Sequence, residues 1–352
     1  MFKNSKIYIA GHKGLVGGAI TKILKNQGYT NLILKTKDEL DLTNQKAVNE
    51  FFEREKPEFV FFCAAKMGGM MEQLERRADF LYLNLMMQTN ILHCAYRNKI
   101  KKLLYLSSLC IYPKNVSLPI QENSMLHGEL QYINEPYAIA KITGNKMCEF
   151  YNKQYDTTYI TLVPTSIYGP RDNFNIKTTH VFPAILMKIY LGKLFYEKNY
   201  DRLISLLKLK TLKEVKEYLQ KFGIDEQKIT LLGSGKPRRE FIFVDDVANA
   251  CIFSMQNIDN NILKQYDENY HNCHLNLSSD ENYSLLEIAM LIKDIAKYKG
   301  EIIFDQKSPD GTMLKKTNCD RLKKLGFKSQ FSLVEGIKIT YEWLDSTNDL
   351  RF

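Results

Sequence analysis

Short apolar runs alternate with longer amphipathic stretches through the first half of the chain. The apolar runs and the helical stretches between them occupy, in turn, 6–10, 18–28, 31–35, 44–55, 58–64, 78–98, 102–108, 135–155 and 159–169. Strands that alternate with helices are typical of a parallel sheet with crossover helices. Runs that are apolar on both faces suit a sheet covered on both sides. The pattern therefore predicts an α/β fold with a Rossmann-like, doubly wound parallel sheet.

The alternation stops at Gly169, where the turn-rich segment GPRDNF begins. Residues 228–253 then predict a pair of strands that leads back to the sheet and into a helix, and the remainder mixes short strands with a helix at 284–300. We interpret this part as a smaller α/β domain interleaved with the first. The predicted domains are a Rossmann domain at 1–170, to which 239–260 returns, and a second domain made of 171–238 and 261–352.

Residues 193–228 form a separate amphipathic segment. Its apolar residues recur with mixed three- and four-residue spacing, which is typical of helix, at Leu203, Leu206, Leu207, Leu212, Val215, Leu219 and Phe222. We expect an extra helical hairpin that covers the second domain. A lid or a dimer-forming element is the alternative.

Composition narrows the class of protein. The 352 residues, 45% of them apolar, can supply a packed core. No apolar run approaches the roughly 18 residues of a membrane span, and the first strand begins too early for a signal peptide. We therefore expect a cytoplasmic protein with no membrane partner. The seven cysteines are scattered and include no C-x-x-C pair, which argues against a disulfide framework or a metal site.

The net charge of +9 is spread along the chain, and the lysines often alternate with glutamate. A nucleic-acid-binding protein would concentrate its charge in one arm or stripe. We therefore expect no nucleic-acid partner. A diffuse positive field suits an anionic metabolite equally well.

The segment GHKGLVG, at 11–17, lies between the first strand and the first helix. A helix N-terminus offers unpaired amide donors and partial positive charge, which bind phosphate. Gly11 permits a tight turn, Gly14 lets the backbone approach a pyrophosphate, and Gly17 lets helix and strand pack closely. In this strand–loop–helix context the glycines predict a dinucleotide site.

Charge indicates which dinucleotide binds. NAD sites commonly carry an acidic residue at the end of the second strand, whereas the extra phosphate of NADP requires cations. Here that strand ends in Lys35 and Lys37, with no carboxylate before Asp38, and Lys13 lies within the glycine loop. The sequence therefore favours NADP(H).

Tyr137 and Lys141 lie four residues apart on the helix predicted over 135–155, so their side chains share a face. Pro136 suits the first turn of that helix. A free tyrosine has a pKa of about 10, and we expect the adjacent ammonium to stabilise its phenolate. The pair would then act as a proton donor to a ketone. Ser108, at the carboxyl end of a predicted strand, could bond the same carbonyl oxygen.

Together with the glycine loop, this constellation resembles the extended short-chain dehydrogenase/reductase family. Within it the chain is similar to the GDP-L-fucose synthase family through segments that occur in the same order: IAGHKGLVGGAI, AAKMGGM, SSLCIYPK, NEPYAIAKITGNKMCEFYNKQY, YGPRDNFN, HVFPAIL, GSGKPRREFIFVDD and SPDGT. The resemblance implies NADPH-dependent 4-reduction and 3,5-epimerisation of a GDP-linked 4-keto sugar. It also implies a homodimer and a second domain that binds the sugar nucleotide.

The resemblance also implies residue roles. Ser108, Tyr137 and Lys141 match the reductase triad, and Cys110 and His180 match the acid–base pair that exchanges protons at carbons 3 and 5. Without the resemblance, we would interpret Cys110 as a core residue and His180 as a loop histidine.

The same resemblance implies which residues contact the coenzyme and which contact the sugar nucleotide. Contacts to NADP(H) are expected from Gly11, His12, Lys13, Gly14, Leu15, Val16, Gly17, Lys37, Asp41, Leu42, Ala64, Ala65, Lys66, Leu106, Ser107, Tyr137, Lys141, Pro164, Thr165, Ser166, Ile167 and His180. Contacts to the sugar nucleotide are expected from Met67, Gly68, Ser108, Asn173, Lys188, Leu232, Arg239 and Asp310. The guanidinium of Arg239 suits a diphosphate, whereas Arg238 beside it reads as a surface charge.

Several positions depart from the family pattern, mostly on the side of the sugar nucleotide. Leu109, Ser166, Lys188 and Ser308 replace a usual serine, asparagine, arginine and lysine, and the 193–228 insertion is long. A GDP-4-keto heptose is therefore an alternative substrate, and epimerisation could be lost. A 4,6-dehydratase would need an acidic residue where Leu109 and Cys110 stand. A non-catalytic NADP sensor would usually lack Tyr137.

Overall fold

The computed structural model describes residues 1–347 and Leu350, which form two compact units. Unit 1 consists of Met1–Ile167, Ile242–Ser279 and Thr317–Gln330, and unit 2 of Tyr168–Phe241, Asp280–Lys316 and the described residues from Phe331 onward. The sequence assigns 261–279 and 317–330 to the second domain, whereas the structure includes them in unit 1. The reason is that Leu275–Leu277 adds a strand to the large sheet and Thr317 forms a bridge with Ile120.

The strands of the described residues are β1 (Ile7–Ala10), β2 (Leu32–Ile33), β3 (Phe59–Phe62), β4 (Lys102–Leu106), β5 (Tyr159–Pro164), β6 (Ser166–Tyr168), β7 (Lys228–Leu232), β8 (Arg238–Phe243), β9 (Leu275–Leu277), β10 (Asn282–Ser284) and β11 (Glu301–Asp305).

The helices are α1 (Leu15–Asn26), α2 (Gln45–Glu55), α3 (Met70–Glu75), α4 (Arg77–Arg97), α5 (Glu135–Tyr155), α6 (Val181–Tyr196), α7 (Tyr200–Leu207), α8 (Leu212–Lys221), α9 (Val244–Asn257), α10 (Asn260–Lys264), α11 (Leu285–Ala296), α12 (Asp320–Lys324) and α13 (Leu333–Ser346).

The large sheet of unit 1 has the order β2-β1-β3-β4-β5-β9, with every pairing parallel. Ile7 pairs with Leu32 on one side and with Phe59 on the other. The strand order therefore reverses between β1 and β3. In open parallel sheets the crevice beyond the carboxyl ends of such strands binds the ligand. The predicted doubly wound parallel sheet is confirmed.

Two groups of helices cover this sheet. Helices α2, α4 and α5 pack together, and α1 packs with α9, which also contacts β4 and β5. A cluster of buried apolar side chains, including Tyr8, Phe51, Phe52 and Phe62, lies in the first layer. All four residues of β3 are buried, as expected for a strand that is apolar on both faces. Full burial of one such side chain contributes about 1.5–3 kcal/mol.

The strands of unit 2 belong to two small sheets. β8 pairs antiparallel with β10, in a three-stranded sheet of order β10-β8-β6, and β7 runs parallel to β11. The expectation that β7 and β8 form a pair is therefore wrong, because β7 pairs with β11 and β8 lies between β10 and β6. Within 193–228 the spacing does give helices: α7 and α8 pack together and bury Leu203, Leu206, Val215 and Leu219.

The described residues contain neither a membrane-spanning helix nor a cluster of metal ligands. None of their helices is long and apolar enough to cross a membrane. No three histidine, cysteine, aspartate or glutamate side chains of residues 1–347 and Leu350 are grouped as metal ligands. None of the seven cysteines, all of which are described, forms a disulfide.

Candidate active site

The glycine loop connects β1 to α1 and leaves the helix N-terminus open. Gly14 is the N-cap of α1, and no side chain caps the helix. Gly11 has φ +87, and a Cβ there would lie 2.8 Å from the backbone nitrogen of Ala64; a Cβ on Gly17 would lie 2.3 Å from the oxygen of Gly11. Side chains at these positions would force the loop apart. The loop is thus pressed against Ala64, two residues after β3, and the uncapped N-terminus of α1 offers amide donors to an anion.

Three polar atoms at the carboxyl edge of the large sheet are buried without a hydrogen-bond partner in the described chain. They are His12 Nδ1, Ser107 Oγ and Thr165 Oγ1, which follow β1, β4 and β5. Buried polar groups are nearly always paired, so an unpaired one needs an explanation. A bound ligand with its own donors and acceptors would satisfy all three. Together with the glycine loop, these atoms fit a dinucleotide.

The predicted phosphate-binding lysines differ in their surroundings. Lys13 and Lys37 are exposed, whereas the Lys35 ammonium lies 3.7 Å from a carboxylate oxygen of Glu39. Pairing with a carboxylate weakens Lys35 as a phosphate ligand.

Asp41 and Leu42, both expected at the cofactor, lie in the loop that follows β2. The Asp41 carboxylate accepts hydrogen bonds from the backbone and hydroxyl of Thr43. The carbonyl of Leu42 accepts a 2.9 Å bond from the Asn90 amide on α4. These bonds fix the loop against α4.

Ser108 and Cys110 share a single 3-10 turn. Ser108 is the N-cap of the turn Leu109–Ile111, and its hydroxyl accepts a 3.5 Å bond from the backbone N–H of Cys110. The turn follows β4 directly, so both side chains stand at the carboxyl end of a central strand. Both residues are partly exposed, as groups that meet a substrate must be.

Helix α5 brings Tyr137 and Lys141 to the same edge. Pro136 lies in its first turn, as predicted. Both side chains are buried, and Lys141 Nζ donates a 2.8 Å hydrogen bond to the carbonyl of Leu106, the last residue of β4. The ammonium lies 5.7 Å from the centroid of the Tyr137 ring. Unit 1 thus assembles Ser108, Cys110, Tyr137 and Lys141 at the end of β4, on the carboxyl edge of the sheet where β1 also ends.

Burial controls the charge of the reactive pair. It raises the pKa of Tyr137 well above its usual range, and Cys110 adds to the effect. It lowers the pKa of Lys141 to about 8. The expected lowering of the tyrosine pKa is therefore wrong, because loss of solvent outweighs an ammonium that lies beside the ring. Tyr137 is a neutral phenol, which is the form that can donate a proton.

The loop after β3, Ala64–Gly68, lies beside the glycine loop. Two hydrogen bonds hold Lys66 in place. Its backbone N–H donates to the Asn84 side chain, and its ammonium lies 2.6 Å from a Glu72 oxygen. Met67 next to it is 44% exposed. The residues Pro164–Ile167 end β5 and begin β6, and the Thr165 N–H bonds to Leu277 in β9.

Three substrate-side candidates of unit 2, Lys188, Leu232 and Asp310, lie at β7 or at the loop that follows it. Lys188 Nζ on α6 donates a 2.9 Å bond to the Thr230 carbonyl of β7, and burial lowers the pKa of this lysine to about 8. Leu232, 69% exposed, ends the strand. In the next loop the backbone and hydroxyl of Ser234 bond to Asp310.

The remaining predicted site residues of unit 2 are Arg239, Asn173 and His180. A Cβ on Gly311 would lie 3.4 Å from an Arg239 guanidinium nitrogen, so this arginine adjoins the loop of Asp310. Asn173 bonds to Thr178 in the segment before α6, and His180 is the exposed N-cap of that helix. Protein around the ring lowers the pKa of His180, so its imidazole is neutral at pH 7.

Sequence reasoning did not single out Tyr105, whose ring contacts Lys141, or Gln88, which bonds to Tyr105. Tyr105 lies in β4 with its ring centroid 4.7 Å from Lys141 Nζ, and its hydroxyl donates to Gln88 on α4. Both look like ordinary core positions in the sequence. The one available signal was Gly144, a glycine in the interior of a long helix.

Comparison with known proteins agrees with this geometry. Residues 7–267 match the model of the NAD dependent epimerase/dehydratase family. The chain is 38% identical to GDP-L-fucose synthase of Escherichia coli (strain K12), with 98% of each chain covered. Among solved structures it is similar to a GDP-D-glycero-L-gluco-heptose synthase from Campylobacter jejuni in the presence of NADPH, with 42% identity, a TM-score of 0.94 and coverage of 98% and 100%.

A second solved structure from Campylobacter jejuni, a GDP-mannoheptose C4 reductase with NADP bound, is also 42% identical, with a TM-score of 0.88 and coverage of 98% and 100%. These similarities extend over nearly the whole length of each protein. The chain therefore belongs to the NAD dependent epimerase/dehydratase family and, within it, to the GDP-L-fucose synthase family.

Proposed function

We propose that this protein is an NADPH-dependent reductase of a GDP-linked 4-keto sugar. The observation that carries the proposal is the grouping of Ser108, Tyr137 and Lys141 at the end of β4, in the same parallel sheet whose β1 leads into the glycine loop. The activities in the names of its relatives, a GDP-L-fucose synthase and a GDP-mannoheptose C4 reductase, support the same chemistry.

The residues of the glycine loop would hold the coenzyme. The amides of 11–17 and the N-terminus of α1 would bind the pyrophosphate, and Lys13 and Lys37 would bind the additional phosphate. When bound, NADPH supplies the hydride that the carbonyl carbon accepts. His12, Ser107 and Thr165 offer buried polar atoms that can bond to it.

The proton comes from the protein. Tyr137, neutral because it is buried, donates its hydroxyl proton to the carbonyl oxygen as that oxygen becomes an alkoxide, and the ketone ends as an alcohol. Ser108 bonds the same oxygen and orients it. Lys141, held by Leu106, stabilises the phenolate that remains.

Epimerisation is the second part of the proposal. A ketone at carbon 4 acidifies the hydrogens on carbons 3 and 5, and hydroxyls that bond the oxygen stabilise the enolate. Cys110 and His180 would then remove and return those protons. A neutral imidazole, which the lowered pKa of His180 favours, can act as the base.

A GDP-4-keto heptose is the second candidate substrate. Two similar structures carry heptose activities in their names. Lys188, a compact ammonium where an arginine is usual, changes the hydrogen bonding next to β7. With a heptose the chain could act as a reductase without epimerisation.

One experiment tests all of these points. Purified protein is mixed with NADPH and a panel of GDP-4-keto hexoses and heptoses in heavy water, and the products are analysed by mass spectrometry. We expect NADPH oxidation with at least one sugar, and one deuterium at each epimerised carbon. A protein that binds NADPH but oxidises it with none of the panel would be a sensor. We further propose a homodimer, which sedimentation would test.

A further inference from the structure

A group of residues with no assigned role lies around the Lys141 ammonium, where β4, α4 and α5 meet. Tyr105 in β4 is fully buried, and its ring centroid is 4.7 Å from Lys141 Nζ. Its hydroxyl donates a 2.9 Å bond to Gln88 Oε1, and the Gln88 amide donates a 2.7 Å bond to the carbonyl of Ala140. These contacts connect β4 through α4 to the turn of α5 that carries Lys141.

Gly144 shows how closely Tyr105 and α5 approach. It lies in the interior of α5, where glycine is unfavourable. A Cβ at this position would lie 2.3 Å from the Tyr105 hydroxyl oxygen. The helix therefore has no side chain at the point where Tyr105 needs the space.

The buried ammonium faces mainly neutral groups. Its hydrogen bond goes to the Leu106 carbonyl. The titratable groups that face it are Tyr137 and Cys148 on α5, Cys63 after β3, Cys110 after β4 and Tyr105 in β4. A buried cation without a nearby carboxylate depends on dipoles and aromatic faces for stabilisation. Attraction between a cation and an aromatic ring is strongest where water is excluded, and the Tyr105 ring is the nearer of the two.

We propose that Tyr105 is a positioning residue for Lys141: its ring stabilises the ammonium, and its hydroxyl, through Gln88, fixes the turn of α5 that carries the reactive pair. This role rests on the reductase function proposed above. It distinguishes the two parts of the side chain. Loss of the ring should make the ammonium less stable, whereas loss of the hydroxyl alone should only loosen the turn.

The first test compares Tyr105→Leu with Tyr105→Phe by the pH dependence of kcat. The wild-type rate should fall at alkaline pH as Lys141 loses its proton. In Tyr105→Leu this fall should move to lower pH by about half to one pH unit, and in Tyr105→Phe it should stay in place. Tyr159→Leu and Tyr159→Phe are matched controls, because Tyr159 is also buried in a strand of this sheet but bonds to Leu92.

The second test measures the titration of Lys141 directly and needs no substrate. Lysine labelled with carbon-13 at Cε is followed by NMR, and the Lys141 signal is identified by its loss in Lys141→Arg. If Tyr105→Leu does not fold, pentafluorophenylalanine placed at position 105 is compared with Tyr105→Phe, since it keeps the shape but removes the attraction of the ring face.

The outcomes separate the two proposals. A wild-type protein that oxidises NADPH with no GDP-4-keto sugar contradicts the reductase function, whatever the NMR titration shows. A Lys141 pKa that stays the same when the aromatic face is removed overturns the role of Tyr105, whatever the activity. A lower Lys141 pKa, with the alkaline fall in kcat moved in the same direction, supports it.

Discussion

Lys141 Nζ lies 2.8 Å from the carbonyl oxygen of Leu106, so α5 is hydrogen-bonded to the last residue of β4. Ser107 and Ser108 come next in the chain. A shift of α5 along the sheet would break this bond and separate Tyr137 from Ser108. One hydrogen bond therefore aligns the two elements on which the proposed proton transfer depends.

Tyr137→Phe tests the proton donor. The variant keeps the ring but has no proton to give, so we expect kcat to fall by about 100-fold or more while NADPH binding is unchanged. Absorbance of the nicotinamide measures the rate, and fluorescence titration measures binding. Tyr132→Phe is the control, since Tyr132 lies close by in the chain but is 67% exposed. Normal turnover by Tyr137→Phe would remove this residue from the mechanism.

Lys141→Met tests how far the buried ammonium lowers the free energy of unfolding. Unfolded lysine has a pKa of about 10.4, whereas burial lowers the pKa of Lys141 to about 8. Between these values the unfolded chain binds more protons, so this group makes the folded state more stable as pH rises. We expect Lys141→Met to raise the free energy of unfolding by about 1–3 kcal/mol at pH 7, with a smaller gain at pH 10, and to abolish reduction.

Urea unfolding at both pH values measures this effect, and Lys146→Met provides a control of opposite sign. The Lys146 ammonium lies 2.7 Å from a carboxylate oxygen of Glu149, which is itself buried. Removing that lysine leaves a buried carboxylate without its partner, so stability should fall. Equal losses of stability in both variants would show that the Lys141 charge is well compensated.

Lys37→Glu tests the choice of coenzyme. Lys37 is exposed in the loop after β2, and it adds to the Thr43 hydrogen bonds that lower the pKa of Asp41. Reversal of its charge should repel the additional phosphate of NADPH and leave NADH unaffected. We expect the ratio of kcat/KM for the two coenzymes to change by about tenfold, which corresponds to about 1.4 kcal/mol. Lys46→Glu, an exposed change on α2, should leave the ratio as it is.

Cys110→Ala and His180→Gln test the epimerase part. Either change should stop deuterium from entering one or both of carbons 3 and 5, while a substrate that needs no epimerisation is still reduced. Mass spectrometry of products formed in heavy water measures both effects. If the unaltered protein incorporates no deuterium, Cys110 and His180 have no such role and the protein only reduces.

The first half of the fold could be predicted because its regular patterns of apolar and polar residues extend over long segments. The helix predicted at 135–155 is α5 residue for residue, and the glycine loop lies between β1 and α1. β9 escaped prediction because Leu275–Leu277 is too short to show a period, and its place depends on a hydrogen-bonding edge offered by β5.

The site was predictable in its residue types but not in its electrostatics. Tyr137 and Lys141 were recognisable from their spacing, whereas the direction of their pKa shifts depends on how completely the fold removes them from water. The contact of Tyr105 with Lys141 could not be predicted for a similar reason. The sequence neighbours of Tyr105 mark it as core, and only the fold places its ring against the ammonium.

The order of the chain also determines when the large sheet can be completed during translation. β5 is synthesised before the Tyr168–Phe241 segment of unit 2, and its partner β9 emerges only after that segment. Until then one side of Tyr159–Pro164, a strand of six buried residues, has no neighbour on the ribosome. An open apolar edge can pair with other chains. The unpaired side of β5 is therefore a place where the nascent chain could pair wrongly until β9 docks.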